Sequence, residues 1–350
     1  MSELNTEDLI DELYDMVEKA WSLPLSRGRA VLDYDTKGSF IDVVKERDTN
    51  LYAALDYDLT PRTTLGAGVL VSRLRSTPFF GGMPRYSDGS SLGLKRSTFL
   101  GADWNKWDRD ETQLFADLTH RFNDDWRLKI AATYVKEESL TTALDATGAV
   151  DPVTLMGPMR NAWNYDKSAE HFGFDANVHG RFTTWGMAQD LTVGVSMSRL
   201  KSTDRIEYAS NYLPLDVFNP DPHVPKPDSF PDSQRLSRYD PHVQKGIYAQ
   251  LRSSLTEDLT LVSGGRFSWF ESRYTTQAAT WDDVSTAKAS AEFTPMVGLV
   301  YALTPQWSAY ASFAQIFEPQ NALDASGKLL DPIVGNNYEV GLKGELMGGR

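Results

Sequence analysis

The sequence predicts an all-β protein, an antiparallel transmembrane β-barrel of about twelve strands preceded by a short α-helix. Stretches of about nine to twelve residues alternate apolar and polar side chains, short polar turns alternate with long polar loops, and aromatic residues gather beside the short turns. Alternation gives each strand an apolar face for lipid and a polar face for water. This explains how a chain with 11% aromatic residues can have a negative mean hydropathy.

Composition excludes several classes of function. The 350 residues carry a formal net charge of −13, which argues against nucleic acid as a partner because phosphate binding needs a basic surface. The chain has no cysteine, so it has no disulfide, no Cys-ligated metal and no thiol catalysis. Its apolar runs are shorter than the roughly 18 residues of a transmembrane helix.

Residues 1–24 are the first predicted element. Leu9, Leu13 and Val17 recur at helical spacing, and Pro24 follows the end of the pattern. The segment is acidic, so we expect neither a secretory signal peptide nor a basic membrane-surface helix there, and no export signal in this chain. We predict an acidic amphipathic helix over 1–24 that docks on another surface, followed by the barrel over 25–350.

From about Leu25 the period of the apolar residues changes to two. Leu51, Ala53 and Leu55, for example, alternate with Tyr52 and Asp56. Tight turns are expected at 59–62, 122–125, 255–258 and 303–306, with a looser one near 183–186. Long loops are expected near 76–109, 139–166 and 204–244, and shorter ones near 36–47, 275–289 and 319–334.

A soluble β-sandwich is the main structural alternative, because its strands alternate too. Sandwich strands usually have about five or six residues, whereas strands of about nine to twelve can cross a bilayer at a tilt. Trp126 and Trp307 follow short turns and Phe122 precedes one, as in the aromatic girdle of a membrane barrel. We favour the barrel, because in lipid its closure leaves no backbone group unpaired.

The blocks GRAVL at 28–32, GSFID at 38–42, STPFFGG at 76–82, PRYSDG at 84–89 and LTPQWSAY at 303–310 carry a family resemblance. So does the longest block, PQNALDASGK at 319–328 running into LDPIVGNNYEVGLK at 330–343. Together they resemble TonB-dependent siderophore receptors of the ferric hydroxamate and pyoverdine type. The resemblance implies part of a barrel of about 22 strands that surrounds an N-terminal plug. We expect a truncated barrel without plug, TonB box or last strands, since residues 345–350 predict a strand end and a turn.

The resemblance also implies a function: a TonB-dependent outer-membrane receptor and transporter for ferric siderophores, and not an enzyme. Its partners would be the ferric siderophore, outer-membrane lipid and, in the full-length parent, TonB. Iron arrives already chelated, so neither a cofactor nor a protein metal site is expected. Residues 1–24 do not resemble the corresponding part of the family.

The long loops would form the ligand mouth. A ferric siderophore is a bulky, partly aromatic or hydroxamate chelate, which suits aromatic rings with a few cationic groups. The candidate ligand-binding residues are Phe79, Phe80, Arg85, Tyr86, Trp104, Trp107, Trp163 and Tyr165. The alternative for these rings is an outer interface belt or packing of the loops against one another.

Two alternatives to the receptor stay open at this point. A passive porin-like channel would have a signal peptide leading directly into the first strand, where the receptor would have a plug and a TonB box. A non-functional fragment would aggregate through its exposed edges. An outer-membrane protease or lipase is disfavoured, because the 5 histidines show no His-x-x-x-His or His-Glu-x-x-His spacing and no Gly-x-Ser-x-Gly is present.

Overall fold

The computed structural model describes residues 26–345 except 321, 323 and 326–329, and this part of the chain forms one antiparallel sheet of 12 strands. The strands lie side by side in sequence order. From β1 to β12 they are Ser26–Gly38, Lys45–Thr60, Thr63–Thr77, Lys106–Arg121, Trp126–Thr147, Met159–Thr184, Met187–Pro214, Ser233–Ser254, Leu259–Ala278, Asp282–Thr304, Trp307–Glu318 and Ile333–Gly344.

The prediction of an all-β chain with about twelve strands is therefore confirmed. The β-sandwich alternative is wrong, because all 12 strands belong to one sheet rather than two. Within the described residues β1 and β12 each have a single neighbour, so the sheet is open at both edges. The predicted helix over 1–24 lies outside the described residues. No helix in the described part is long and apolar enough to cross a membrane.

Short turns close one end of the sheet, where the sequence predicts them. Asn123 shows how such a turn forms: its side-chain oxygen accepts hydrogen bonds from the backbone N–H groups of Asp125 at 2.9 Å and Trp126 at 2.8 Å. Thr304 accepts one from Trp307 at 3.1 Å in the same way. These Asx and Thr turns satisfy backbone donors within a few residues, so the next strand resumes at once.

The strands extend much further beyond the opposite end than predicted. The loops expected at 139–166 and 204–244 are only 148–158 and 215–232, because β5, β6 and β7 continue for 22, 26 and 28 residues. A strand extension that lies in water needs backbone hydrogen bonds for its pairing but no continuous apolar face. The alternation of apolar and polar side chains, from which the strand ends were predicted, therefore stops before the strands themselves end.

The two faces of the sheet differ in polarity. The face that we call outer carries exposed apolar side chains, among them Leu114, Phe172, Val193, Ile247, Phe267, Leu299 and Val340. The face that we call inner carries Asp175, Tyr248 and Arg266, and Tyr248 donates a hydrogen bond to Asp175 at 2.9 Å. Near the short turns, Trp126 stacks on Phe182 with 6.2 Å between ring centroids. An apolar outer face bordered by rings is the arrangement of a lipid-facing barrel wall.

Aromatic rings on the inner face cover glycines of the neighbouring strand. Phe115 lies over Gly68, and its ring also stacks on Tyr52 with the centroids 5.9 Å apart. A Cβ at Gly68 would collide with the Phe115 ring and would lie 2.7 Å from the carbonyl oxygen of Ala53. The glycine is therefore required by the packing of β2, β3 and β4.

We predict that Gly68→Ala lowers the free energy of unfolding by about 1–3 kcal/mol, because the ring or the strand must move. The measurement is urea unfolding of the full chain in detergent, followed by loss of β-sheet circular dichroism. Gly82→Ala is the control, since nothing lies within 4 Å of a Cβ at that glycine. Equal stability of the two variants would contradict the packing argument.

Candidate functional site: the loop layer and the inner wall

Three loops from distant parts of the chain pack into one layer above the sheet. Leu100 comes from loop 78–105, Val150 from loop 148–158, and Leu215 and Val217 from loop 215–232. All four side chains are buried against one another. The layer therefore has a hydrophobic core of its own, and its surface is defined by packing rather than by free loops.

A second cluster lies on the outer face of the long strands. Leu144 of β5 pairs with Ala162 of β6, and both side chains are buried together with Ala102 and Ala209. Trp104 packs on this cluster and its indole N–H donates to the carbonyl oxygen of Val224 at 2.9 Å. Loops 78–105 and 215–232 therefore meet on the outside of the β5–β6 hairpin.

Asn105 joins the first loop to β5. Its side chain is only 2% exposed, accepts a hydrogen bond from the N–H of Leu144 at 2.8 Å and donates to the carbonyl oxygens of Leu144 at 3.2 Å and Pro78 at 3.4 Å. A buried amide with three partners at the base of a loop fixes that loop to the strand. The sequence analysis missed this residue, because an isolated Asn before a strand carries no distinguishing pattern.

Two charged groups beside the loop layer, one buried and one partly buried, are incompletely paired. Arg160 is 4% exposed and donates to the carbonyl oxygen of Asp221 at 2.8 Å, while its Nε has no partner within the described residues. On the neighbouring strand, Oδ1 of Asp145 is buried and likewise unpartnered in the described part of the chain. Burial lowers the pKa of the Arg160 guanidinium and raises the pKa of the Asp145 carboxyl.

We predict that Asp145→Asn stabilises the loop layer at neutral pH by about 1 kcal/mol, because it removes a desolvated carboxylate. The pKa of Asp145 is raised in the folded protein, so the stability that its neutral form contributes is complete at low pH and is lost as pH rises through that pKa. The stability gained by Asp145→Asn should therefore become smaller as pH falls toward the ordinary pKa of an aspartate. The measurement is the rate of protease cleavage in loop 78–105 at neutral and acidic pH. A gain independent of pH would contradict this account.

The inner face carries a wall of aromatic side chains above the membrane-spanning part. We call it the inner aromatic wall; its members are Phe80, Trp163, Tyr165, Tyr239, His242, Phe270 and Tyr274. Phe80 packs on Trp163 with 5.2 Å between centroids, and Tyr239 packs on Tyr274 at 4.5 Å. Apart from Phe270, which is buried, these rings are half-buried and offer apolar area together with hydroxyl groups.

Tyr165 is the most strongly perturbed ionisable group of this wall. Its hydroxyl donates to Oδ1 of Asp204 on β7 at 3.1 Å. Burial, together with the neighbouring Asp204 carboxylate, raises the pKa of Tyr165 to about 12. The phenol is therefore neutral at physiological pH and serves as a hydrogen-bond donor and an apolar surface.

The structure separates the predicted ligand residues into different places. Phe80, Trp107, Trp163 and Tyr165 belong to the inner side, where the indole N–H of Trp107 donates to Ser139 at 3.2 Å. Phe79 and Tyr86 pack on the core of the loop layer, and Trp104 lies on the outer face. Arg85 is exposed and donates to the carbonyl oxygen of Gly89 in its own loop at 3.1 Å.

Sequence reasoning also left out part of the wall. The omitted residues are His242, Phe270 and Tyr274, on the inner face of β8 and β9. Tyr239 belongs to the loop expected near 204–244, but the structure has it on β8. Counting alternate positions along each strand would have placed Phe270 and Tyr274 on the inner face. It would have failed at Tyr239, because the register shifts between Tyr239 and His242.

No group of three or more His, Asp or Glu side chains that could hold a metal ion occurs among the residues that the structure describes. The inner aromatic wall offers rings and hydroxyl groups, a surface suited to a bulky, partly apolar ligand.

Known proteins similar to this chain are receptors. The family model described as "TonB dependent receptor-like, beta-barrel" matches residues 56–350. The ferric-pyoverdine M114 receptor PbuA of Pseudomonas sp. is 38% identical over 339 residues, which cover 93% of this chain and 40% of that protein. The ferripyoverdine receptor of Pseudomonas aeruginosa is 33% identical, over 93% of this chain and 39% of the receptor.

A solved structure agrees with the described fold. The crystal structure of the P. aeruginosa ferripyoverdine receptor bound to ferripyoverdine superposes with a TM-score of 0.80 at 30% identity, covering 93% of this chain and 43% of that one. The chain thus spans about two fifths of the length of the curated relatives it matches. Members of the matched family are outer-membrane receptors and transporters, not enzymes. With most of its length matched, the chain belongs to the TonB-dependent receptor β-barrel family and is an outer-membrane protein.

Proposed function

We propose that the chain forms the barrel wall of an outer-membrane receptor for ferric siderophores, with a ferric pyoverdine as the ligand class. The observation that carries the proposal is the 38% identity to a ferric-pyoverdine receptor over 93% of this chain. The described geometry supports it: the inner aromatic wall lies beneath a packed loop layer, where a large chelate can reach it.

The first contact of the ligand would be with the inner aromatic wall. Phe80 and Trp163 present one ring pair, and Tyr239 and Tyr274 present a second. The neutral hydroxyl of Tyr165 supplies a polar group between them, since Tyr274 is close enough to influence its pKa. Of the eight candidate residues, we keep Phe80, Trp107, Trp163 and Tyr165 in the proposed ligand surface. We leave Phe79, Tyr86 and Trp104 out of it, because their side chains pack against the two buried clusters.

The test is titration of the full chain in detergent with ferric pyoverdine, followed by intrinsic tryptophan fluorescence. The expected result is saturable quenching, because Trp163 and Trp107 face the proposed ligand surface. Ferric EDTA is the control, since it carries iron without aromatic rings or hydroxamates. Quenching that is linear with concentration and equal for both chelates would overturn the proposal.

We further propose that transport through the assembled receptor depends on TonB, as the family name implies. The test is uptake of radioactive iron from ferric pyoverdine by cells that express the receptor, with and without functional TonB. Uptake that is independent of TonB would instead favour the passive channel.

A further inference from the structure

Three basic side chains lie together on the inner face at the short-turn end of the sheet. Arg121 and Arg127 flank the turn between β4 and β5 and pair directly with each other, and Lys129 follows on the same face. Arg127 also pairs with His179, which is on the same face of β6 as Asp175. We call Arg121, Arg127 and Lys129 the basic triplet; all three are exposed. Like charges directly opposite on neighbouring strands destabilise a sheet, so the triplet favours an anionic partner.

The basic side chains on the strands beyond the triplet already have acidic neighbours. Asp125 forms an ion pair with Arg181 at 3.7 Å. Register places Asp190 of β7 between Arg181 on β6 and Arg252 on β8. Oδ1 of Asp190 also lies 3.3 Å from Nδ1 of His179. We therefore do not count Arg181 and Arg252 as part of the triplet.

Three further carboxylates lie near the triplet: Asp117, Asp124 and Asp175. The Asp117 carboxylate lies over Gly66 of β3, on the side away from β5. Asp175 accepts a hydrogen bond from Tyr248 at 2.9 Å, and Asp124 is in the turn itself. Among the residues that the structure describes, none of these carboxylates forms an ion pair with the triplet, and no triplet side chain has a hydrogen bond. The positive charge of the triplet is thus not neutralised within the sheet.

The chain carries a strongly acidic stretch at the same end of the sheet. We call residues 1–24, which lie outside the described residues, the acidic segment; their one basic side chain is Lys19. The seven acidic residues are Glu3, Glu7, Asp8, Asp11, Glu12, Asp15 and Glu18. Ser26, the first residue of β1, pairs with Tyr57 beside the short turn at 61–62, so the acidic segment joins the sheet at its short-turn end. β4 is three strands from β1, or about 14 Å at the usual strand spacing, whereas a helix of 24 residues is about 36 Å long.

We propose that the acidic segment docks on the basic triplet through its carboxylates. In the helix predicted from the sequence, Glu7, Asp11 and Asp15 share one face because they are four residues apart. Arg121 and Arg127 line an open cleft of about 420 Å³ that such a face can enter. Carboxylates placed there form charge-assisted hydrogen bonds with both guanidinium groups and remove their mutual repulsion.

The test measures the distance between the acidic segment and the triplet. Because the chain has no cysteine, Tyr14→Cys and Thr119→Cys provide two unique sites for spin labels, one in the acidic segment and one beside Arg121 on the inner face of β4. Double electron–electron resonance is recorded on the full chain in dodecyl maltoside. We expect one narrow distance distribution, because a docked segment holds its label at a fixed place.

The variant Arg121→Gln/Arg127→Gln removes two of the three positive charges. We expect its distance distribution to be at least about twofold broader, since a segment without contacts samples the distances that its length allows. The control is Arg205→Gln/Arg238→Gln, which removes two exposed arginines from the long-loop end of the sheet and should leave the distribution unchanged. Circular dichroism verifies the β-sheet of each variant before the distances are compared.

A charge exchange separates direct pairing from an indirect effect. Glu7→Lys/Asp11→Lys/Asp15→Lys should broaden the distribution, and combining it with Arg121→Glu/Arg127→Glu should make it narrow again. A broad distribution in the parent would overturn the proposal. So would a narrow one in Arg121→Gln/Arg127→Gln, which would show that the apolar side chains of the acidic segment hold it instead. Siderophore binding does not enter this test, because the inner aromatic wall lies toward the opposite end of the sheet.

Discussion

Replacing Asn105 by leucine is expected to release loop 78–105 from the sheet. The substitution removes all three hydrogen bonds of the Asn105 side chain and leaves the N–H and C=O of Leu144 without that partner in a buried site. Buried polar groups left unpaired cost about 1–3 kcal/mol each, so we expect a loss of roughly 2–4 kcal/mol in the stability of the loop layer. Because Leu100 and Ala102 lie in the same loop, both hydrophobic clusters should loosen together.

The measurement is limited proteolysis of the full chain in detergent, with cleavage sites identified by mass spectrometry. Asn105→Leu should be cut within residues 78–105 at least tenfold faster than the parent, since about 1.4 kcal/mol changes an opening equilibrium by that factor. Asn219→Leu is the matched control, because Asn219 is exposed in loop 215–232 and its side chain has no hydrogen bond among the described residues. An unchanged cleavage rate in Asn105→Leu would show that the loop does not depend on this amide.

Trp163→Ala is expected to have the largest effect on ligand binding. The indole and Phe80 form the ring pair of the inner aromatic wall nearest to the loop layer. Truncating a central aromatic contact commonly costs about 2 kcal/mol or more, so ferric pyoverdine should bind about 30-fold more weakly. Trp163→Phe should recover most of the affinity, because it keeps a ring against Phe80.

The binding measurement is equilibrium dialysis with iron quantified on both sides, which does not depend on tryptophan fluorescence. Trp185→Ala is the control, because Trp185 is 89% exposed in a short turn at the opposite end of the sheet. Wild-type affinity in Trp163→Ala would remove this residue from the ligand surface. Equal weakening in Trp185→Ala would instead indicate a general loss of structure.

The membrane-spanning part of the fold could be predicted because lipid imposes a rule on every second residue. Leu51, Ala53 and Leu55 show the rule in one strand, and the turn residues Asn123 and Thr304 mark where strands end. Above the membrane the rule no longer applies. Residues 204–214 are polar and mixed, yet they extend β7, because backbone pairing with β6 and β8 is sufficient in water.

The candidate site was harder to predict, because its contacts join segments far apart in sequence. Trp104 reaches Val224 across 120 residues, and Asn105 reaches Leu144 across 39. An aromatic-rich loop has the same amino-acid composition whether its rings pack against other loops or contact a ligand. Only the register of β5 and β6 assigns Trp163 to the inner face and Leu144 to the outer one.

The strict sequence order of the sheet has a mechanical consequence. Within the described residues, backbone pairing joins each strand only to the strands before and after it in the chain, and β12 pairs only with β11. A force transmitted across the sheet would therefore pass from each strand to the next along the chain. The low sequence separation of these hairpin contacts also favours rapid, stepwise assembly from neighbouring hairpins.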